Sequence, residues 1–264
     1  MKLRYIFISL SVMIIIVILV NFIQNNGKND GSDTLTQYST INALLNKVYE
    51  GEMTVGEVKQ YGDFGLGTFN SMNGEMVVLD GHLYRISADG AAREPGDDEK
   101  IPFTSVTYFG TDLKFDLTSG IGFDSLEKKI DSILPTKNII YAIKITGEFE
   151  KVKTRSVPEQ NKPYKSITEI VKTQPTFEFE NVKGTVLGFY CPRYMKGINV
   201  SGYHFHFLTE DKKAGGHILE LTTGKCILEI DKTSGLNLIL PGSKDFYDVD
   251  LTQSSGEVLN TVER

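Results

Sequence analysis

The 264-residue chain is 40% hydrophobic and 23% charged, with 28 basic against 34 acidic side chains and a net charge of −6. With 15 Phe and 12 Tyr it has material for a sizeable core, which excludes whole-chain disorder, collagen and disulfide-scaffold classes. The acid excess argues against a nucleic-acid binder that neutralises phosphates, because that mode needs a basic surface.

The first element is an uncharged apolar run from Ile6 to Ile23, behind Lys2 and Arg4. Its length lies between a signal-peptide core and a spanning helix, which takes about 20 apolar residues. No small-residue cleavage site follows at Val20 to Gln24. The expectation is therefore an N-terminal membrane anchor over 1–23, with a cleaved signal peptide as the alternative. Positive charges stay inside, so everything after Ile23 is expected outside the cytoplasm, anchored or secreted. Losing the two basic residues leaves that exported part more acidic still. Residues 24–36, opening with QNNGKNDGSD, read as a flexible linker. Cys191 and Cys226 sit in apparent strands and read as core residues, and the sequence does not fix whether they pair.

The folded body is expected from Gln37. Apolar residues at 41, 44, 45 and 48 have helical spacing within Thr40–Tyr49. Thr54 and Glu57 form a capping box at the start of a second short helix. From Gly65 the pattern turns to strands, with hairpin turns at Asn73-Gly74 and Asp80-Gly81. Further strands are expected at 104–110 and 138–147, with a helix opening at Asp124 and ending near Leu134. PEQNKP (158–163) marks a boundary, and a short helix follows around Ile167–Lys172. Strands are then expected at 176–179, 184–190, 202–208, 217–221 and 226–230. Helices that precede blocks of strands, instead of alternating with them, indicate an α+β fold with mixed or antiparallel sheets. The expected division is two sheet-rich domains, 37–157 and 158–264.

Three of the four histidines, His204, His206 and His217, fall within fourteen residues. A two-residue spacing puts His204 and His206 on one face of a strand, about 7 Å apart, with Phe205 and Phe207 on the other. A turn centred between Asp211 and Lys212 places His217 opposite His206 on the returning strand. Three imidazoles on one hairpin face can then converge on a single ion. A lone strand histidine is more often a hydrogen-bonded core residue, but three backed by aromatics are hard to explain by packing. Three neutral imidazoles without a thiolate suit catalytic zinc, although imidazole also binds copper, iron and nickel. His82, after the Asp-Gly turn, reads as an exposed hairpin residue.

The motifs GDFGLGTFN (62–70), NGEM (73–76), RSVP (155–158), KPY (162–164), KGTVLGFY (183–190), GYHFHFLTED (202–211), GGH (215–217) and DLTQ (250–253) resemble those of the alpha-acetolactate decarboxylase family. The resemblance spans nearly all of the chain after the linker. It implies a two-domain α+β enzyme, dimeric in most members, that converts 2-acetolactate to acetoin and CO2 with Zn2+ held by His204, His206 and His217 in the C-terminal half. It also implies site roles for Thr68, Glu75, Arg155 and a tail glutamate, Glu263 by ungapped count, with Glu257 as the alternative. Spacing alone leaves Glu75 an ordinary residue after a turn and Arg155 a surface ion-pair partner.

That reaction leaves an electron pair on the substrate, stored as an enediolate until a proton arrives. A Lewis-acid zinc at the substrate's oxygens stabilises it, so no organic cofactor is expected. Arg155 would orient the anionic substrate through its planar fork. Glu75 or Glu263 would deliver the proton, and Thr68 would hydrogen-bond the substrate. The readings set against this one are an exported metal- or sugar-binding β-module without turnover, and a zinc lyase acting on another small oxyacid.

Overall fold

Strands take up nearly half of residues 33–252, the range described by the computed structural model, some alternating in burial and some, such as Phe64–Thr68 and Glu75–Leu79, buried throughout. The expected anchor, linker residues 24–32 and both tail glutamates lie outside the described residues. Among those described, no helix is long and apolar enough to cross a membrane. The first half runs β1 (Thr34–Tyr38), α1 (Ile41–Leu45), β2 (Met53–Thr54), α2 (Val55–Val58), β3 (Phe64–Thr68), β4 (Glu75–Leu79), β5 (His82–Ile86), β6 (Ala92–Arg93), β7 (Lys100–Ile101), β8 (Phe103–Thr107) and β9 (Leu113–Leu117). The second half runs α3 (Phe123–Ile133), β10 (Ile140–Arg155), α4 (Ile167–Ile170), β11 (Thr176–Cys191), β12 (Gly202–Thr209), β13 (Gly215–Thr233), β14 (Gly235–Ile239) and α5 (Lys244–Asp248).

Three sheets result: seven strands in the order β14-β1-β8-β3-β4-β5-β6, five in the order β10-β11-β12-β13-β9, and the pair β2-β7. The seven-stranded sheet is mixed through its parallel β1/β14 pair. The five-stranded sheet is antiparallel and curls until β10 also pairs with β13. The fold is thus mostly β with a few short helices. Strands cross the expected 157/158 division in both directions, since β9 joins the second-half sheet and β14 the first-half sheet. Thr34, Leu35 and Thr36, expected as linker, belong to β1, where Leu35 is fully buried.

Local signals act as their chemistry requires. Thr54 accepts from the Glu57 amide at 3.2 Å while the Glu57 carboxylate accepts from the Thr54 amide at 2.7 Å, completing the capping box. Thr40 caps α1, and the helix stops at Leu45, short of the expected Tyr49, because Lys47 turns left-handed at φ +70°.

Two cores flank the curled sheet. On one side Phe149, Phe205, Phe207 and Leu228 pack with Leu126 and Ile130 of α3. On the other, Leu187, Phe189 and Leu208 meet Phe64, Leu66 and Val77 of the seven-stranded sheet. Cys191 and Cys226 are free and buried, one in each core, and burial pushes their thiols up to about 12 and about 11.

Candidate metal centre and active site

Strand alternation in β12 sends Phe205 and Phe207 into the α3-side core and leaves His204 and His206 on the face toward the seven-stranded sheet. On the returning strand His217 pairs with His206, the register the turn position demands. One strand further, Arg155 of β10 is the cross-strand partner of His217. Directly opposed residues of antiparallel strands share a face. Arg155, His217 and His206 therefore form one row across three strands.

Backbone detail makes that row possible. The β10/β13 register shifts between Lys153 and Thr154, and such irregularities re-aim the side chains beside them. Gly215 and Gly216 allow β13 to pass close to both neighbours. A Cβ at Gly215 would lie 2.1 Å from the Phe207 carbonyl oxygen, and one at Gly216 (φ +138°) would lie 2.4 Å from that of Arg155.

The imidazoles converge. Ring centroids are 5.0 to 5.4 Å apart, His204 Nε2 lies 3.2 Å from His217 Nδ1, and one nitrogen from each ring falls within 4.8 Å of the others. Burial, then the nearby Arg155 cation, lowers the pKa of His204 to about 3. Burial also pushes that of His206 well below its ordinary value. Both are neutral at pH 7, the form that ligates metals.

The Met76 carbonyl accepts from His206 Nδ1 at 2.7 Å. That bond fixes the tautomer and leaves a lone pair on Nε2. This nitrogen is buried and makes no hydrogen bond, with Glu75 Oε2 3.5 Å away. A buried polar atom left this way costs about 1–3 kcal/mol, a cost that a bound cation removes. The donor set therefore fits a metal ion.

Glu75 and Arg155 complete the polar surface. Both are buried, with Arg155 Nη1 3.4 Å from Glu75 Oε1, and the same nitrogen donates to Gln174 Oε1 at 3.1 Å. Thr68 is the β3 partner of Glu75 and donates its hydroxyl to the Gly74 carbonyl at 2.7 Å. Thr68, Glu75, Arg155, His204 and His217 line one cavity together with the apolar Ile41, Leu44, Met72, Phe103 and Ile167.

Residues 35–253 match the family model of alpha-acetolactate decarboxylase. The chain belongs to this family. It is 47% identical over 236 residues to the alpha-acetolactate decarboxylase of Methanosarcina mazei, covering 89% of this chain and 82% of that one. It is 40% identical over 232 residues to that of Bacillus subtilis, covering 88% and 91%. The crystal structure of the Bacillus subtilis alpha-acetolactate decarboxylase superposes with a TM-score of 0.85 at 41% identity, covering 87% of this chain and 99% of that one.

Within this decarboxylase fold the three histidines, Glu75, Arg155 and Thr68 meet as one site, while Glu263 and Glu257 lie outside the described residues. His82 is exposed and pairs with Glu94. Three contributions escaped the sequence reading. Gln174, which fixes the Arg155 guanidinium, is an isolated loop polar residue. Met76 acts through its carbonyl and leaves no side-chain signature. Ile41 and Leu44 carry a helical spacing that looks the same whether the face meets core or cavity.

Proposed function

We propose that the chain decarboxylates 2-acetolactate to acetoin and CO2, with Zn2+ held by His204, His206 and His217 and with Glu75 and Arg155 acting on the substrate. One observation carries this reading: three clustered imidazoles, a carboxyl and a guanidinium meet beside one cavity in a chain of this family. When bound, the metal supplies Lewis-acid stabilisation of the negative charge that develops on the substrate's oxygens.

The chain's own residues do the rest. Arg155, steadied by Gln174, presents a planar cation that orients the substrate's carboxylate or carbonyl oxygen. When the bond to the carboxylate breaks, CO2 departs and the electron pair stays on the substrate as an enediolate. Glu75 or Glu263 delivers the proton that completes acetoin. Thr68 spends its hydroxyl hydrogen on Gly74 and so offers the substrate an acceptor. The apolar lining lowers the local dielectric, which strengthens each of these electrostatic contacts. No organic electron sink is needed.

The proposal extends to an exported protein, held by or cleaved after residues 6–23, acting as a homodimer. The uncharged run behind Lys2 and Arg4 supports the location, and assays of membrane and medium fractions test it. For the activity, the full chain is incubated with racemic 2-acetolactate and acetoin is measured. A chelator abolishes acetoin and added Zn2+ restores it. Acetoin production indifferent to chelator overturns the metal's role, and absence of acetoin overturns the activity.

A further inference from the structure

The loop that joins Thr68 to Glu75 is held in an uncommon conformation. Ser71 (φ +59°) and Met72 (φ +55°) are both left-handed, a region that non-glycine residues rarely visit and that clusters at functional sites. The surroundings over-determine it. The Ser71 amide donates to the Tyr49 carbonyl at 2.9 Å, and the Ser71 carbonyl accepts from the Gln160 amide at 2.8 Å. Ser71 Oγ donates to Glu50 Oε1 at 3.0 Å, and the Tyr164 hydroxyl donates to the same oxygen. The Gly74 amide bonds the carbonyls of Met72 and Val157 at 2.9 and 3.0 Å.

These bonds drive Met72, 4% exposed, among Ile41, Leu44, Phe103 and Ile167, where it lines the same cavity as Thr68, Glu75, Arg155, His204 and His217. A hydroxy-keto acid whose oxygens are engaged by the polar side turns its alkyl groups to this wall. From this arrangement we infer that Met72 sets the size limit for those alkyl groups and so selects among 2-alkyl-2-hydroxy-3-oxo acids. The inference rests on the activity proposed above. Met72 belongs to the wall, and a methionine's flexible side chain fills such a gap without specific bonds.

The test measures kcat/KM of the full chain, and of its Met72→Ala, Met72→Gly and Met72→Leu variants, on 2-acetolactate and two homologues. One homologue carries ethyl in place of methyl at C2, and the other carries propionyl in place of acetyl. Glycine takes φ +55° without strain, so Met72→Gly keeps the loop conformation, and thermal melting confirms that each variant is folded. A methylene in an apolar pocket is worth roughly 10- to 200-fold in specificity. The ratio of at least one homologue to 2-acetolactate accordingly rises about tenfold or more in the Ala and Gly variants and stays near wild type in Met72→Leu. Unchanged ratios for both homologues overturn the inference. Turnover lost on every substrate in folded Ala and Gly variants overturns it as well, because a size limit leaves the parent reaction running. A wild-type chain that makes no acetoin sinks the underlying activity, which separates the two failures.

Discussion

The polar and apolar sides of the cavity are built from different backbone. Thr68, Glu75, Arg155, His204, His206 and His217 all occupy strands. Ile41, Leu44 and Ile167 sit on helices of five and four residues, and Met72 sits in a strained loop, with Phe103 contributed by β8. Ladder hydrogen bonds fix a paired strand residue to a fraction of an ångström, the tolerance that convergent ligands and a positioned proton demand. A helix of one turn has no independent stability and is held by the surface it buries. The polar side is therefore rigid by construction and intolerant of change. The apolar side tolerates substitution and is free to set which alkyl groups enter.

The sharpest way to break the polar side is His206→Ala. This side chain is fully buried and its tautomer is fixed by the Met76 carbonyl. Removing one of the three proposed ligands is expected to abolish stoichiometric metal and to lower kcat/KM by about a thousandfold or more, since three-ligand catalytic sites have no reserve donor. Metal analysis of the purified variant checks the first effect and an acetoin assay the second. Bound metal and turnover near wild type would detach the histidines from the chemistry.

Arg155→Lys keeps the charge and removes the fork. The guanidinium is placed by three independent features: its pairing with His217, the register shift before it, and the bond to Gln174. A lysine ammonium cannot present two parallel donors to a carboxylate. The expected loss is about a hundredfold in kcat/KM, near 2.7 kcal/mol by the usual conversion. A loss under threefold would reduce Arg155 to a point charge.

The same division explains what the sequence disclosed. His206 facing His217 was readable because a hairpin's register follows from its turn, and strand alternation then sorts histidines from phenylalanines. The Thr54 capping box and the two-residue turn at Asp80-Gly81 are local signals of the same kind, whereas Asn73-Gly74, expected as a hairpin turn, instead ends the six-residue loop 69–74 between β3 and β4. Partners far along the chain were not readable. β9 pairs with Cys226–Ile230, and β14 runs parallel to β1 some two hundred residues away, so neither is specified by its neighbours. β11 and β13 were each expected as two pieces, with breaks at 180–183 and 222–225. Instead both strands run through, opposite the irregular pairing at Gly147–Lys151 of β10. The row Arg155–His217–His206 depends on that long-range pairing. From residues alone Arg155 read as a surface cation, and only the resemblance to a family placed it in the site.

On the apolar side the contrast predicts a loss of stability with activity preserved. Ile167→Ala removes a buried side chain from the cluster of Leu44, Tyr49, Phe103 and Val157. The cavity left behind costs about 2–5 kcal/mol, read as a lower denaturant midpoint, while kcat/KM on 2-acetolactate changes by less than about tenfold. A hundredfold fall in the folded variant would mean that α4 positions the substrate itself.

Thr68 lies on the border between the two sides, and its substitution gives the smallest effect. The hydroxyl hydrogen is committed to the Gly74 carbonyl at 2.7 Å, one residue before Glu75. Its first task is to close the turn that delivers the carboxyl. Thr68→Val keeps the shape and leaves the Gly74 carbonyl without that donor, which costs about 1 to 3 kcal/mol of stability for a buried group. If Thr68 serves mainly the turn, kcat/KM falls by less than about threefold, and Thr68→Ser, which restores the bond, recovers the lost stability. If its oxygen also receives the substrate's hydroxyl, Val loses a further tenfold in kcat/KM that Ser restores. The two variants together decide whether the polar side ends at Glu75 or extends to its β3 partner.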